Sequence, residues 1–124
     1  ALHNLETIGK AAPGCKISLN DLDDADALRA SIDTSDILTN ATRVGMKPMD
    51  DVSLITDVTI FRPDLIVTDV VYDPQETRLL REAKAAGCRT FDGLGMLVEQ
   101  GAASFKLYTG LEMPVDEVCD AIYK

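Results

Sequence analysis

The segment Asp92-Gly-Leu-Gly-Met-Leu-Val-Glu-Gln-Gly101 constrains this chain more than any other. It follows a short β-type run and precedes an apolar-periodic one, so it reads as a strand exit, a glycine turn and a helix start. Glycines at 93 and 95 mark backbone that turns tightly or lets something come close to it. Two readings stay open for the turn: a tight turn with Asp92 capping the helix, or close backbone approach to a ligand. Gln100 falls about two turns into the helix, with apolar neighbours at positions 96, 97, 98, 102 and 103. It is expected to be a partly buried amide, satisfied either by backbone or by the hydroxyls of a ligand.

The rest of the chain alternates strands and helices. Residues near Leu5 to Ala11 read as a helix end closed by Ala12-Pro13-Gly14. Cys15 to Leu19 alternates like a short strand, and Asp24 to Ile32 reads as an amphipathic helix with acidic residues at its start. Ile37 to Asn40 is a strand, Gly45 to Asp51 a loop, and Leu54 to Ile60 is ambiguous. Leu65 to Tyr72 is a continuous β-branched run of the kind buried on both faces. Thr77 to Ala86 is a helix with Gly87 at its C-terminal cap. Cys88 to Phe91 is a strand, and Leu94 to Tyr108 and Pro114 to Tyr123 are helices. Such alternation predicts an α/β fold with a mostly parallel sheet, a partial Rossmann-like doubly wound sheet followed by C-terminal helices.

In such sheets ligands bind beyond the carboxyl ends of the strands. Three exits therefore qualify: Asn40-Ala-Thr-Arg43, Val70-Val-Tyr-Asp73 and Gly93-Leu-Gly-Met96. Arg43 suits bidentate contact with a phosphate or ribose, or is a solvated surface arginine. Tyr72 is a rim or core residue, or a hydroxyl contact to a ligand. Gly93-x-Gly95-x-x-Val98 looks like a dinucleotide fingerprint but lacks the strand and acidic residue that must follow, so it is not the pyrophosphate loop.

Composition excludes several classes. The net charge of −9 argues against nucleic acid and against an anionic membrane surface. The acidic run from Asp21 to Asp26 reads as a solvated helix start. No apolar run is long enough to span a bilayer and no signal peptide opens the chain. Cys15, Cys88 and Cys119 form no CxxC pair, which fits reduced thiols in a cytoplasmic protein. With His3 the single histidine, a histidine-based triad or a multi-histidine metal site is not expected.

Taken together, Asp36-Ile-Leu-Thr-Asn-Ala-Thr-Arg-Val-Gly-Met-Lys-Pro48, Leu65-Ile-Val-Thr-Asp-Val-Val-Tyr-Asp-Pro74 with Glu76-Thr77, and Gly87 to Ala102 resemble the shikimate/quinate dehydrogenase family in order and spacing. The resemblance covers about residues 30 to 124, and the first 30 only by element order. It implies NAD or NADP as cofactor and shikimate or quinate as substrate. On matching positions it implies that Asn40, Thr42 and Arg43 line the dinucleotide cleft. Val70, Val71 and Tyr72 would meet the nicotinamide end, with Tyr72 also at the substrate. Gly93 would make a backbone contact to the nicotinamide, Met96 would pack on its ring, and Gln100 would hydrogen-bond the substrate hydroxyls. Asp73 stands where the family commonly has Asn.

The resemblance also implies a division of the chain. Residues 1–92 would be the C-terminal portion of the NAD(P)-binding domain, and 93–124 helices that pack back on a substrate domain. The glycine-rich pyrophosphate loop, the segment choosing between NAD and NADP, and the catalytic Lys and Asp pair have no match in these residues. No catalytic or metal-binding residue is therefore assigned, and the 124 residues alone are expected to be inactive, with an exposed apolar helix face that favours homo-oligomers. The rival readings are a non-catalytic nucleotide- or polyol-binding module and an unrelated flavodoxin-like interaction domain.

Overall fold

The computed structural model describes residues 2–123, which divide into two compact units at Ser35 and Asp36. In the first, α1 (Leu2–Ala11) and α2 (Ala25–Asp33) are joined by an irregular segment. The Asp24 side chain caps α2 by accepting from the Ala27 N–H at 3.0 Å, and Asp26 lies in its first turn. Here the acidic run does the work of a helix start, offsetting the free N–H groups and the dipole. The strand expected at Cys15 to Leu19 is not there: those residues are irregular and, apart from half-buried Ile17, exposed. An alternating run forms a strand only when a neighbouring strand takes its N–H and C=O groups, and among the described residues none pairs with this one.

The second unit holds the sheet. β1 (Ile37–Asn40), β2 (Ile66–Asp69) and β3 (Arg89–Phe91) are parallel in the order β1-β2-β3. Their register aligns Asn40 with Asp69, and Thr68 with Phe91. α3 (Arg78–Ala85) connects β2 to β3, while α4 (Leu94–Thr109) and α5 (Val115–Ile122) follow the sheet. The crossover from β1 to β2 contains no α-helix. A single 3-10 turn, Val58–Ile60, lies there instead, and buried Ile55, Ile60 and Phe61 supply apolar mass in place of a helix face.

β2 is the middle strand, and its fourth residue ends it. Beyond Asp69 the Val71 N–H turns back to the Asp69 carboxylate at 3.0 Å rather than to a neighbouring strand. The long run read as one strand is thus a short strand plus a structured exit. One face of it is fully buried: Leu65 and Val67 have no exposure and Val71 has 2%. The other is only half-buried at Ile66, Thr68 and Val70, so burial on both faces is not realised. On that open face Ile37 and Phe91 are 57% and 56% exposed, and Thr68 donates across the strands to Thr39 at 2.9 Å.

α3 covers the buried face with Leu79, Leu80 and Ala83. Its ends are well specified. Thr77 caps the N-terminus, accepting from the Leu80 N–H at 3.4 Å. At the C-terminus the Cys88 N–H reaches the Ala83 carbonyl and the Gly87 N–H the Lys84 carbonyl, both at 3.0 Å, with Gly87 at φ +90°. This paired pattern is the Schellman motif, which needs the left-handed residue that glycine supplies. Arg78 ties α3 to the loop after β1, donating to Glu82 at 2.6 Å and to the Asp51 carbonyl at 3.1 Å. The Glu82 hydrogen bond and charge hold the Arg78 guanidinium above its usual range.

Two outcomes follow from this packing. Gly45 sits at φ +103°, and a Cβ there would lie 3.1 Å from Thr77 Cγ2. Gly45→Ala should therefore lower the unfolding free energy by about 1–3 kcal/mol in denaturant titration. Cys88 is buried, donates to the Arg62 carbonyl at 3.1 Å, and has its thiol pushed up chiefly by burial. Alkylation followed by mass spectrometry should modify exposed Cys15 well before Cys88, because the thiolate is the reacting form.

Candidate functional site

The carboxyl ends of the three parallel strands lie side by side, and a polar network is buried beneath them. Asn40, at the end of β1, is 5% exposed, Asp69 at the end of β2 is 2% exposed, and Thr77 at the start of α3 is 1% exposed. Asn40 donates through Nδ2 to Asp69 Oδ1 at 3.0 Å and to the Val44 carbonyl at 2.9 Å. Its Oδ1 accepts from the Thr42 N–H at 3.0 Å and the Thr42 hydroxyl at 2.8 Å. Both amide protons and both acceptor sites are in use. Asn40 therefore has no side-chain capacity left for a ligand; what it offers is the shape of the turn it holds. Thr42 shares in that turn, since its hydroxyl also accepts from the Val44 N–H at 3.1 Å.

The exits of β2 and β3 meet through their backbones. The Gly93 N–H donates to the Val71 carbonyl at 3.1 Å, and the Gly93 carbonyl accepts from the Leu97 N–H at 3.1 Å. A Cβ on Gly93 would stand 2.2 Å from the Val70 oxygen and 2.8 Å from the Val71 oxygen. Close approach is real here, but what approaches the glycine is the protein's own chain. The Gly93 N–H is consumed by that contact, so the backbone group with capacity to spare is the carbonyl, through its second lone pair. The N-cap of α4 is Gly93, which makes no side-chain cap bond; Asp92, expected to be the cap, stands one residue earlier and accepts from the Leu94 N–H at 3.0 Å.

Around this junction the remaining residues face outward. Tyr72, next to Val71, is 43% exposed, and Met96, three residues after Gly93, is 53% exposed. Val70 is half-buried and gives its N–H to the Asn40 carbonyl at 3.0 Å. Arg43 is exposed, and its guanidinium has no hydrogen-bond or ion-pair partner among the described residues. It is a cation at the mouth of the β1 exit, fit to meet an anionic group. Gln100 departs from expectation. It is exposed, not partly buried, and donates to the Leu97 carbonyl at 2.9 Å. Of the apolar neighbours that suggested burial, Val98 is 4% exposed on another face of the helix, whereas Met96 shares the open surface with Gln100. Tyr123, just past α5, brings its hydroxyl to 3.9 Å from the position a Cβ on Gly95 would take. Its phenol is pushed up by local burial and then by the Asp92 charge.

A shallow cleft of about 320 Å³ lies elsewhere, between α3 and β3, lined by Gln75, Glu76, Leu80, Lys84, Thr90 and Asp92. None of the residues assigned to cofactor or substrate from sequence lines it, and its Lys84 is already opposite Glu76 at 3.4 Å. The two residues that sequence reasoning missed are Asp69 and Thr77. Thr77 carried a readable signal, a threonine directly before an apolar-periodic run. Asp69 carried a weaker one, a carboxylate inside a run otherwise fit for burial.

Gly93, just before α4, and Gly101 within it give a controlled comparison. Gly93→Ala forces Cβ into carbonyl oxygens and should cost about 1–3 kcal/mol of stability while shifting the amide resonances of residues 70–73. Gly101→Ala meets nothing within 4 Å and should instead stabilise by about 0.5–1 kcal/mol, the helix preference of Ala over Gly.

Known proteins supply the context for this geometry. Residues 93–123 match the family model described as the shikimate 5'-dehydrogenase C-terminal domain. The chain is 53% identical over 109 residues to the shikimate dehydrogenase (NADP(+)) of Streptococcus uberis, covering 87% of this chain and 37% of that protein. It is 46% identical over 104 residues to the quinate/shikimate dehydrogenase of Escherichia coli, covering 84% of this chain and 36% of that one. Among solved structures, shikimate 5-dehydrogenase from Listeria monocytogenes, in complex with shikimate and NAD, superposes with a TM-score of 0.87 at 44% identity. That likeness covers 98% of this chain and 43% of the other. The chain spans a little over a third of the length of the curated relatives it matches. Three strand exits in register, their motifs and these likenesses agree: the chain belongs to the shikimate/quinate dehydrogenase family.

Proposed function

We propose that this chain is part of an NAD(P)-dependent dehydrogenase that oxidises shikimate to 3-dehydroshikimate, and quinate to 3-dehydroquinate, in the shikimate pathway of aromatic amino-acid biosynthesis. The observation that carries the reading is the backbone junction of Val71 with Gly93 at the carboxyl ends of β2 and β3, with Tyr72 and Met96 exposed beside it. Support comes from relatives described as shikimate and quinate dehydrogenases, and from a similar structure in complex with shikimate and NAD.

The described residues fit a dinucleotide at this edge. Arg43 supplies a cation without a partner among them, and the turn held by Asn40 and Thr42 shapes the mouth of the β1 exit. When bound, the dinucleotide supplies the two-electron acceptor for the alcohol carbon. Val70, Val71 and the Gly93 carbonyl would form the wall against which its nicotinamide end rests, with Met96 packing beside it. Tyr72 and Gln100 would orient the polyol through hydrogen bonds, which serves catalysis by holding the reacting carbon in place. No residue here is assigned as proton carrier, so that step falls outside the roles given to this chain. We read residues 1–92 as the C-terminal portion of the NAD(P)-binding domain and 93–124 as helices serving the substrate side.

Exposed Leu107, Tyr108 and Leu111 near the end of α4 support association with a second copy or with other parts of the whole protein. None of the described helices is long and apolar enough to cross a membrane. Three free cysteines support a reducing, cytoplasmic setting.

Steady-state assays of the protein that carries this chain test the reading directly. Shikimate or quinate should drive reduction of NAD or NADP, and the 124 residues alone should not support it. Gln100→Leu should raise KM for the polyol about tenfold without lowering thermal stability, the scale of one hydrogen bond lost. Absence of polyol-dependent reduction with either dinucleotide would reject the function.

A further inference from the structure

We propose that Asp69 is the positioning residue of this site: its buried carboxylate fixes how the β1, β2 and β3 exits are presented to the ligand, without touching the ligand itself. The proposal rests on the functional reading above for its kinetic consequences, and on hydrogen bonds alone for its structural ones.

Asp69 has an unusual set of partners. Its Oδ1 accepts from Asn40 Nδ2 and from the Val71 N–H, each at 3.0 Å, and its Oδ2 accepts from the Thr77 hydroxyl at 2.7 Å. No lysine or arginine forms a salt bridge with it among the described residues. A carboxylate at 2% exposure is costly to bury unless donors surround it. Here three donors do so, one from each structure the site depends on: the end of β1, the exit of β2 and the cap of α3. The effect continues outward. The Val71 N–H is held by Asp69 and the Val71 carbonyl holds the Gly93 N–H. Tyr72 lies one residue past Val71, and Met96 lies in the first turn after Gly93. One acceptor-only group therefore sets the position of both flanks of the junction.

The chemistry of the partners makes this testable. All three present protons, so position 69 must accept at both oxygens. Asp69→Asn keeps the size and loses that property. With its oxygen toward Asn40 and Val71, its NH2 faces a Thr77 oxygen already accepting from the Leu80 N–H. In the opposite orientation NH2 meets two donors. The first orientation leaves the buried Thr77 hydroxyl proton without its acceptor and the second leaves two donors without theirs, so the exit of β2 is displaced. Displacement of a reacting group by about 1 Å is enough to cost about a hundredfold in rate.

Two readouts on Asp69→Asn, Thr77→Ser and Thr77→Val separate the possibilities. The first is amide hydrogen exchange on the protein that carries this chain, which requires no activity. Exchange at Val71 and Gly93 should quicken at least tenfold in Asp69→Asn and Thr77→Val, with Ala83 in α3 unchanged, and Thr77→Ser should behave as wild type; the Leu80 amide, which loses its cap in Thr77→Val, is read only in the other two variants. The second is kinetics on the protein that carries this chain. There kcat should fall about 10- to 100-fold in the same two variants, KM for the dinucleotide should stay within about threefold, and Thr77→Ser should retain activity. If Asp69→Asn does not fold, the Thr77 pair carries both readouts. Unchanged exchange at Val71 and Gly93, or a uniform loss of protection across α3, overturns the proposal. So does a fall in kcat that disappears on cooling. Lack of activity in the wild-type protein with quickened exchange in the variants rejects the dehydrogenase reading and leaves the role of Asp69 standing.

Discussion

A carboxylate buried at the end of the middle strand has to be surrounded by donors, and in this protein that requirement organises everything at the carboxyl edge of the sheet. Asp69 takes protons from Asn40, Val71 and Thr77, and each bond settles one structural question. The bond to Asn40 locks the ends of β1 and β2 in register. That to Val71 terminates β2 and turns its exit. The bond to Thr77 anchors the first turn of α3 and holds the Thr77 methyl 3.1 Å from where a Cβ on Gly45 would lie. A hydrophobic residue at 69 would suit the strand and would leave all three donors without acceptors, at about 1–3 kcal/mol apiece.

From that anchor the site is assembled by backbone and finished by side chains. Val71 and Gly93 join two exits that are 22 positions apart in sequence, and the missing Cβ of Gly93 is what lets them touch. The side chains with reach, Arg43, Tyr72, Met96 and Gln100, all sit on the exposed side of this frame. Rigid scaffold and exposed contact residues are thus separated, the arrangement expected where ligand contacts must be held in place by elements that do not themselves make them.

Much of this was legible in the sequence. The strands at 37–40 and 89–91, the helices after 77 and 94, and the three exits follow from periodicity, capping residues and glycine placement. Where reading failed, long-range partners were responsible. Cys15 to Leu19 has strand-like alternation, but only a neighbouring strand can turn alternation into a ladder. The Leu65–Tyr72 run seemed uniform until the Asp69 side chain captured the Val71 N–H. Gln100 sits between apolar residues in sequence, yet its helix turns it outward. Asn40 stands out in the sequence by its place at a strand exit, while its partners at 44 and 69 follow only from the fold. Asp69 carries no such signal, because an isolated carboxylate in a strand announces no role until its donors are placed around it.

The central claim is that the nicotinamide end of a dinucleotide rests at the Val71–Gly93 junction. The most direct measurement is a crystal structure of the protein carrying this chain with NAD(P) and shikimate bound. The account predicts the nicotinamide against Val70, Val71 and the Gly93 carbonyl, with Tyr72 and Gln100 hydrogen-bonded to the polyol. A dinucleotide seated in the cleft between α3 and β3, or any pose leaving the Val71–Gly93 junction bare, would contradict it.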